Sequence, residues 1–91
     1  MTYLFASLYA DSLYAIGQKD DAIVWSKRAL VLAPDCVDCR RDLAIQLKET
    51  GRKKEAMELL MTYDNEMKDQ GKQQSFQGLI MIIQDELKSL N

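Results

Sequence analysis
GQKDDAIVWSKRALVLAP, residues 17–34, carries the signals that decide the fold. They return in GRKKEAMELLMTYDNEMK, residues 51–68, where Gly51 follows Gly17 by 34 residues and Ala56 follows Ala22 by the same 34. A fixed offset of that size is the mark of a stacked helical repeat. Glycine before each segment ends the preceding helix, and Pro34 forbids the continuation of the helix that it follows.

Working outward, residues 2–16 read as a first helix with Thr2 as its only N-cap candidate. Its inner face is predicted to be Phe5, Leu8, Tyr9, Ser12, Leu13 and Ile16, with Leu4, Ala6 and Ala10 beside them. Residues 19–32 form a second helix with Asp20 and Asp21 in its first turn and an inner stripe of Ala22, Ile23, Ser26, Ala29 and Leu30. The third helix covers 36–49, with Asp35 as the N-cap and Leu43, Ala44 and Leu47 inside, Ile45 lying off that stripe. The fourth covers 52–69 and carries Ala56, Leu59, Leu60, Tyr63 and Met67, and Gly71 breaks it. The last covers about 73–90, where Phe76, Leu79, Ile80, Ile83, Leu87 and Leu90 fill one stripe. Met81 and Ile82 add apolar surface on its other sides, so it needs cover on more than one face.

These five helices resemble a tetratricopeptide repeat array. Ala10, Gly17, Ala22, Ala29 and Pro34 match the family's signals in a first unit, about 3–36, and Leu43, Ala44, Gly51 and Ala56 match them in a second, about 37–70. Gly78, 34 residues after Ala44, stands at the small-residue place of a third first-helix. The resemblance implies one all-α domain over residues 1–91: an α-solenoid of antiparallel helix pairs in a right-handed superhelix, with a capping or half-repeat helix at the end. The usual early aromatic of the first helix is Ala6 in one unit and Arg40 in the next, Tyr63 replaces a small alanine, and Lys68 replaces the terminal proline. These departures imply a looser or tilted junction before the last helix.

What the resemblance implies about function is a scaffold or adaptor that holds a partner peptide or helix in a concave groove. The family's groove places fall on Leu4, Ser7, Asp11 and Tyr14 of the first helix, on Asp38, Arg41, Ile45 and Lys48 of the third, and on Ser75, Leu79 and Ile82 of the fifth. Tyr14 and Ile45 would make apolar contacts, and Arg41 and Lys48 would engage carboxylates. A clamp for chaperone C-termini is disfavoured, because its places carry Ser7, Asp11 and Asp42, two of them acidic. The bland alternative is that these positions are the solvated faces of stacked helices. The competing role is structural: apolar ends that self-associate or pack on the rest of a larger protein, with Phe76, Met81, Ile83 and Leu87 as an oligomer surface, giving a homodimer.

Composition excludes other classes. Ninety-one residues, 47% apolar and 29% charged, suit one small domain with a core. A net charge of −2 with interspersed signs leaves no basic footprint for nucleic acid and no polybasic membrane patch. No run of about 18 apolar residues predicts membrane insertion. MTYLFASLYAD lacks a cationic start and is cut by Asp11, which argues against a signal peptide and makes the cytoplasm the default compartment. With no histidine, no Ser/His/Asp set and no glycine-rich phosphate loop, no enzymatic activity, metal or cofactor is expected.

Cys36-Val37-Asp38-Cys39 is the one motif with chemistry of its own. Zinc would need two further ligands that the chain does not offer, and a redox pair would normally sit after a strand. Asp35 and Asp38 would also disfavour a thiolate. The preferred reading is two small, half-buried side chains at the turn between units, with a thiol switch as the remote one. Trp25, with Val24, Val31 and Leu32, is expected to pack against the neighbouring unit's helices rather than to form a convex contact patch for an oligomer or partner.

Overall fold
A computed structural model describes residues 2–89. Five α-helices follow one another: α1 (Tyr3–Ala15), α2 (Lys19–Leu32), α3 (Val37–Glu49), α4 (Lys53–Asp69) and α5 (Gln77–Lys88). Each packs antiparallel on the next, most closely α1 on α2 and most sparsely α4 on α5. None is long and apolar enough to cross a membrane. The fold is a slab of 35 × 32 × 14 Å.

The ends of α1 and α3 close in the same way. After α1, Gly17 takes φ +88° and donates to Tyr14 O at 3.1 Å, while Gln18 N donates to Leu13 O at 2.9 Å. After α3, Gly51 takes φ +86° and the same pair of bonds recurs, from Gly51 N to Lys48 O and from Arg52 N to Leu47 O. These are Schellman closures, and a Cβ at that φ would be strained. Thr2 caps α1 through Oγ1, which accepts from Phe5 N at 3.2 Å.

Two layers result. Tyr14 Oη donates to Glu49 at 3.0 Å, Lys48 pairs with Glu86 at 3.4 Å, and the Arg41 guanidinium lies 5.8 Å from the Phe76 ring, so α1, α3 and α5 share one side. Lys27–Glu55 at 3.1 Å and Asp20–Arg52 at 3.6 Å join α2 to α4 on the other. Ile23, Leu43, Ala44, Leu47, Ala56, Leu60, Phe76 and Ile83 form the main core between them. Ser26 Oγ donates to Gln46 Oε1 at 2.7 Å inside it, a buried pair that fixes the rotation of α3 against α2.

Several expectations are corrected. The buried face of α1 is Ala6, Ala10 and Leu13; Phe5, Leu8, Ser12 and Ile16 are exposed. Small side chains let α1 and α2 approach closely, and the bulky stripe cannot enter so narrow a gap. α5 starts at Gln77, not near 73, because the buried Asp64 carboxylate holds the Ser75 and Phe76 amides and delays the first turn. Gly78 is exposed and a Cβ there would meet nothing within 4 Å, so it is not a close-packing place. The N-cap of α3 is Cys36, whose Sγ accepts from Cys39 N at 3.1 Å; Asp35 lies one residue outside. Cys36 and Cys39 are joined by a disulfide, where the preferred expectation is two separate half-buried side chains. Leu90 lies outside the described residues.

Ala56 is fully buried against its neighbours. Ala56→Leu should overpack this contact and cost about 1–3 kcal/mol, read as a lower urea midpoint with an unchanged slope. A midpoint equal to that of the parent protein would show the contact to be slack.

Candidate interaction groove
The α1/α3 side holds a cleft of about 230 Å³ walled by Asp11, Tyr14 and Ala15 from α1 and by Asp42, Ile45 and Gln46 from α3. It exists because the two helices touch only sparsely, each being packed on its own antiparallel partner. On α1, Ser7, Asp11 and Tyr14 fall on one face, about a third of a turn from the buried Ala6–Ala10–Leu13 face. Three of the expected groove residues, Asp11, Tyr14 and Ile45, are thereby brought together. Asp42 and Gln46 complete the walls; Asp42 enters the sequence reading only through the rejected clamp, and Gln46 not at all.

Other expected residues lie elsewhere. Leu4, Ser7, Ser75, Leu79 and Ile82 do not wall the cleft; Leu4 and Ile82 are exposed, Leu79 packs half-buried on the core, and Ser75 gives its amide to Asp64. Of the expected oligomer surface, Phe76 and Ile83 are sealed in the core and Leu87 is half-buried against it, which leaves only Met81 exposed. The stripe that covers α5 is the one that attaches it to α4 and α3. Trp25 is half-buried, with Tyr9 of α1 at 4.9 Å edge-to-face and Arg28 over its ring at 4.6 Å, so its ring partners come from α1 and α2 rather than from a following unit.

The field of the cleft is acidic. Arg41 and Lys48 are already engaged within the chain, Arg41 with Asp38 at 2.7 Å and Lys48 with Glu86. Asp42 has no such partner among the described residues: burial, and then the charges of Asp11 and Asp38, hold its carboxyl above the ordinary value against the opposing pull of Arg41. Partial burial, followed by the hydrogen bond and the charge of Glu49, likewise raises the Tyr14 phenol. Lys19 sits 5.3 Å from the Tyr14 ring. An aromatic and an isoleucine flanked by carboxylates that repel one another make a seat for an apolar side chain next to a cation.

No family model matches the chain, and no curated protein or solved structure does.

A larger cleft, about 620 Å³, opens on the opposite side between α2 and α4, over Leu43 and Leu47. It is the gap left where α3 holds the two helices apart. Its walls are largely apolar, from Leu30, Val31, Pro34 and Leu59; Lys27 pairs with Glu55 and Arg40 donates to Leu59 O at 2.9 Å, while Glu58 has no ion-pair partner among the described residues. Size alone favours this cleft, but the two mutually repelling carboxylates lie in the smaller one.

Proposed function
We propose that this chain is a short tetratricopeptide-type array that binds an amphipathic, cationic segment of a partner protein along the α1/α3 groove, in a scaffold or adaptor role. The juxtaposition of Asp11 and Asp42 beside Tyr14 and Ile45 carries this reading. It changes the chemistry that Arg41 and Lys48 suggest at first sight, from a partner bearing carboxylates to one bearing Lys or Arg. A cation placed between Asp11 and Asp42 relieves a repulsion that the free protein must tolerate, so binding draws on a strain already present.

The test is a matched pair of amphipathic helical peptides, one with Lys and one with Glu on its polar face, titrated while backbone amide shifts are followed. The Lys peptide should perturb Asp11, Tyr14, Asp42 and Ile45 and should weaken as salt rises. Asp42→Asn should cut its affinity about threefold to tenfold, the worth of one partly screened charge pair. Equal binding of the two peptides, or perturbation confined to α2 and α4, sinks the proposal. The same substitution should raise stability near neutral pH by a few tenths of a kcal/mol, because it removes a carboxylate that folding desolvates.

The sign with pH follows from linkage. Folding raises the pKa of Asp42, so the native state keeps a proton that the unfolded chain has lost between the ordinary and the raised value. Stability from this group falls as pH rises through that window, and Asp42→Asn should flatten the fall. Affinity for the Lys peptide runs the other way and should drop as pH is lowered through the same window.

A structural role in self-association is favoured by a separate observation, the exposed apolar stripe of α1. It is compatible with a free groove, since Phe5, Leu8 and Ser12 lie on a different face of α1 from Asp11 and Tyr14.

A further inference from the structure
We infer that the outer face of α1 is the contact of a two-fold dimer of this chain, in which α1 packs antiparallel on its own copy. Phe5, Leu8, Tyr9 and Ile16 are 56%, 66%, 42% and 70% exposed and, with Ser12, form a continuous helical stripe. At about 200 Å² for a large side chain, the stripe and the adjoining Leu4 expose roughly 500–600 Å² of apolar surface, at the upper end of what a monomer shows.

The repeat says what such a face is for. Thirty-four residues on from Phe5, Tyr9 and Ser12 stand Cys39, Leu43 and Gln46, all buried, and α3 presents that face to α2, where Ser26 bonds Gln46. In α1 the same face carries the bulkier Phe5 and Tyr9, and among the described residues no helix covers it.

Three observations select a second copy as the occupant. Head-to-tail stacking of α1 on α4 is closed, because α5 packs there and Asp64 holds its start. An isologous contact, in which the same patch meets itself, needs no second surface. The stripe carries no charge, Asp11 being the single charged residue of Tyr3–Ala15 and lying on the groove face. Two copies therefore meet without like-charge repulsion, and no charge pattern singles out a different partner. Finally, the stripe is complementary to its own reverse. With Leu8 of one copy against the Tyr9 of the other, each Phe5 falls opposite the small Ser12. Ser12 Oγ already donates to Leu8 O at 3.1 Å, so covering it leaves no orphan donor. The buried total of about 1,000–1,200 Å² falls in the range of weak, transient interfaces, so the dimer is expected only at elevated protein concentration.

Sedimentation equilibrium over roughly 1–500 µM tests this directly. The parent protein should pass from monomer to dimer across that range, and Leu8→Glu should remain a monomer throughout with unchanged helical circular dichroism. Ile82→Glu, which alters the exposed side of α5, should dimerise like the parent. Trp25, the only tryptophan, touches Tyr9, so its emission should shift with concentration in the parent and in Ile82→Glu but not in Leu8→Glu. A parent protein that stays monomeric at 500 µM overturns the inference. So does a folded Leu8→Glu variant that still dimerises, or a dimer abolished by Ile82→Glu.

Discussion
Phe76→Ala should remove about 3–5 kcal/mol of stability, the largest loss expected from any single truncation in this chain. Phe76 is 1% exposed and joins Leu47, Leu60 and Ile83 in the main core. Tyr63 meets its ring edge-to-face at 5.3 Å, and Arg41 approaches it at 5.8 Å. The removed ring thus vacates a space bounded by α3, α4 and α5 at once, and no neighbour is free to fill it. A domain of this size holds on the order of 5–10 kcal/mol in total, so the loss is a large share of it. Because α5 has the sparsest contact with the helix before it, the deficit should be local. Amide exchange in Gln77–Lys88 should accelerate far more than exchange in α2 or α3, and the urea transition should broaden as α5 releases first. A cost below 1 kcal/mol, with α5 exchange unchanged, would show that Ile83 and Leu87 hold the helix without the aromatic anchor.

The sequence makes the middle of the molecule legible and misleads at its two ends, for different reasons. Gly17, Gly51, Ala22, Ala56 and Pro34 each act within one helical turn of themselves, so the limits of α2, α3 and α4 and the buried faces of α2 and α4 can be read from local signals. In α1 the hydrophobic periodicity points the wrong way. Apolar spacing identifies the most apolar face, but the closest-packed pair of helices needs the smallest one, and in α1 these differ. At α5 the start is set by Asp64, a carboxylate eleven residues away from the amide it holds, and no local pattern announces a cap supplied from another helix. The groove shows the same division. Asp11, Tyr14 and Ile45 converge because α1 and α3 lie side by side with those faces toward each other, whereas the engagement of Arg41 and Lys48 inside the chain depends on where α5 lies and on which acid each reaches. Gln46 carries no local signal of its burial, which depends on Ser26 standing opposite it on α2.

Asp64→Ala should cost about 2–4 kcal/mol, and Asp64→Asn about half as much. The carboxylate is 3% exposed; Oδ1 accepts from Ser75 N at 3.0 Å and from Phe76 N at 3.2 Å, and Oδ2 accepts from Phe76 N at 3.0 Å. No side chain of the 73–76 segment caps α5, so Asp64 does from α4 what an N-cap residue does from within its own helix. Alanine leaves two amides without an acceptor, one of them buried, and opens a small cavity. Asparagine keeps one carbonyl oxygen for the amides but turns an N–H donor toward them where the second oxygen stood, so part of the cap survives. The ranking Ala worse than Asn distinguishes capping from a general need for polarity, because a site that only required a polar filler would accept Asn at no cost. Comparing each variant with its Phe76→Ala double mutant then asks whether cap and anchor act as one unit. Once α5 has lost the Phe76 ring, the cap has less helix to hold, so the double mutant should be less damaged than the two single losses predict, by more than about 0.5 kcal/mol. Strict additivity in denaturant unfolding would mean that Asp64 orders the 73–76 loop for its own sake, and that α5 is attached by its apolar stripe alone.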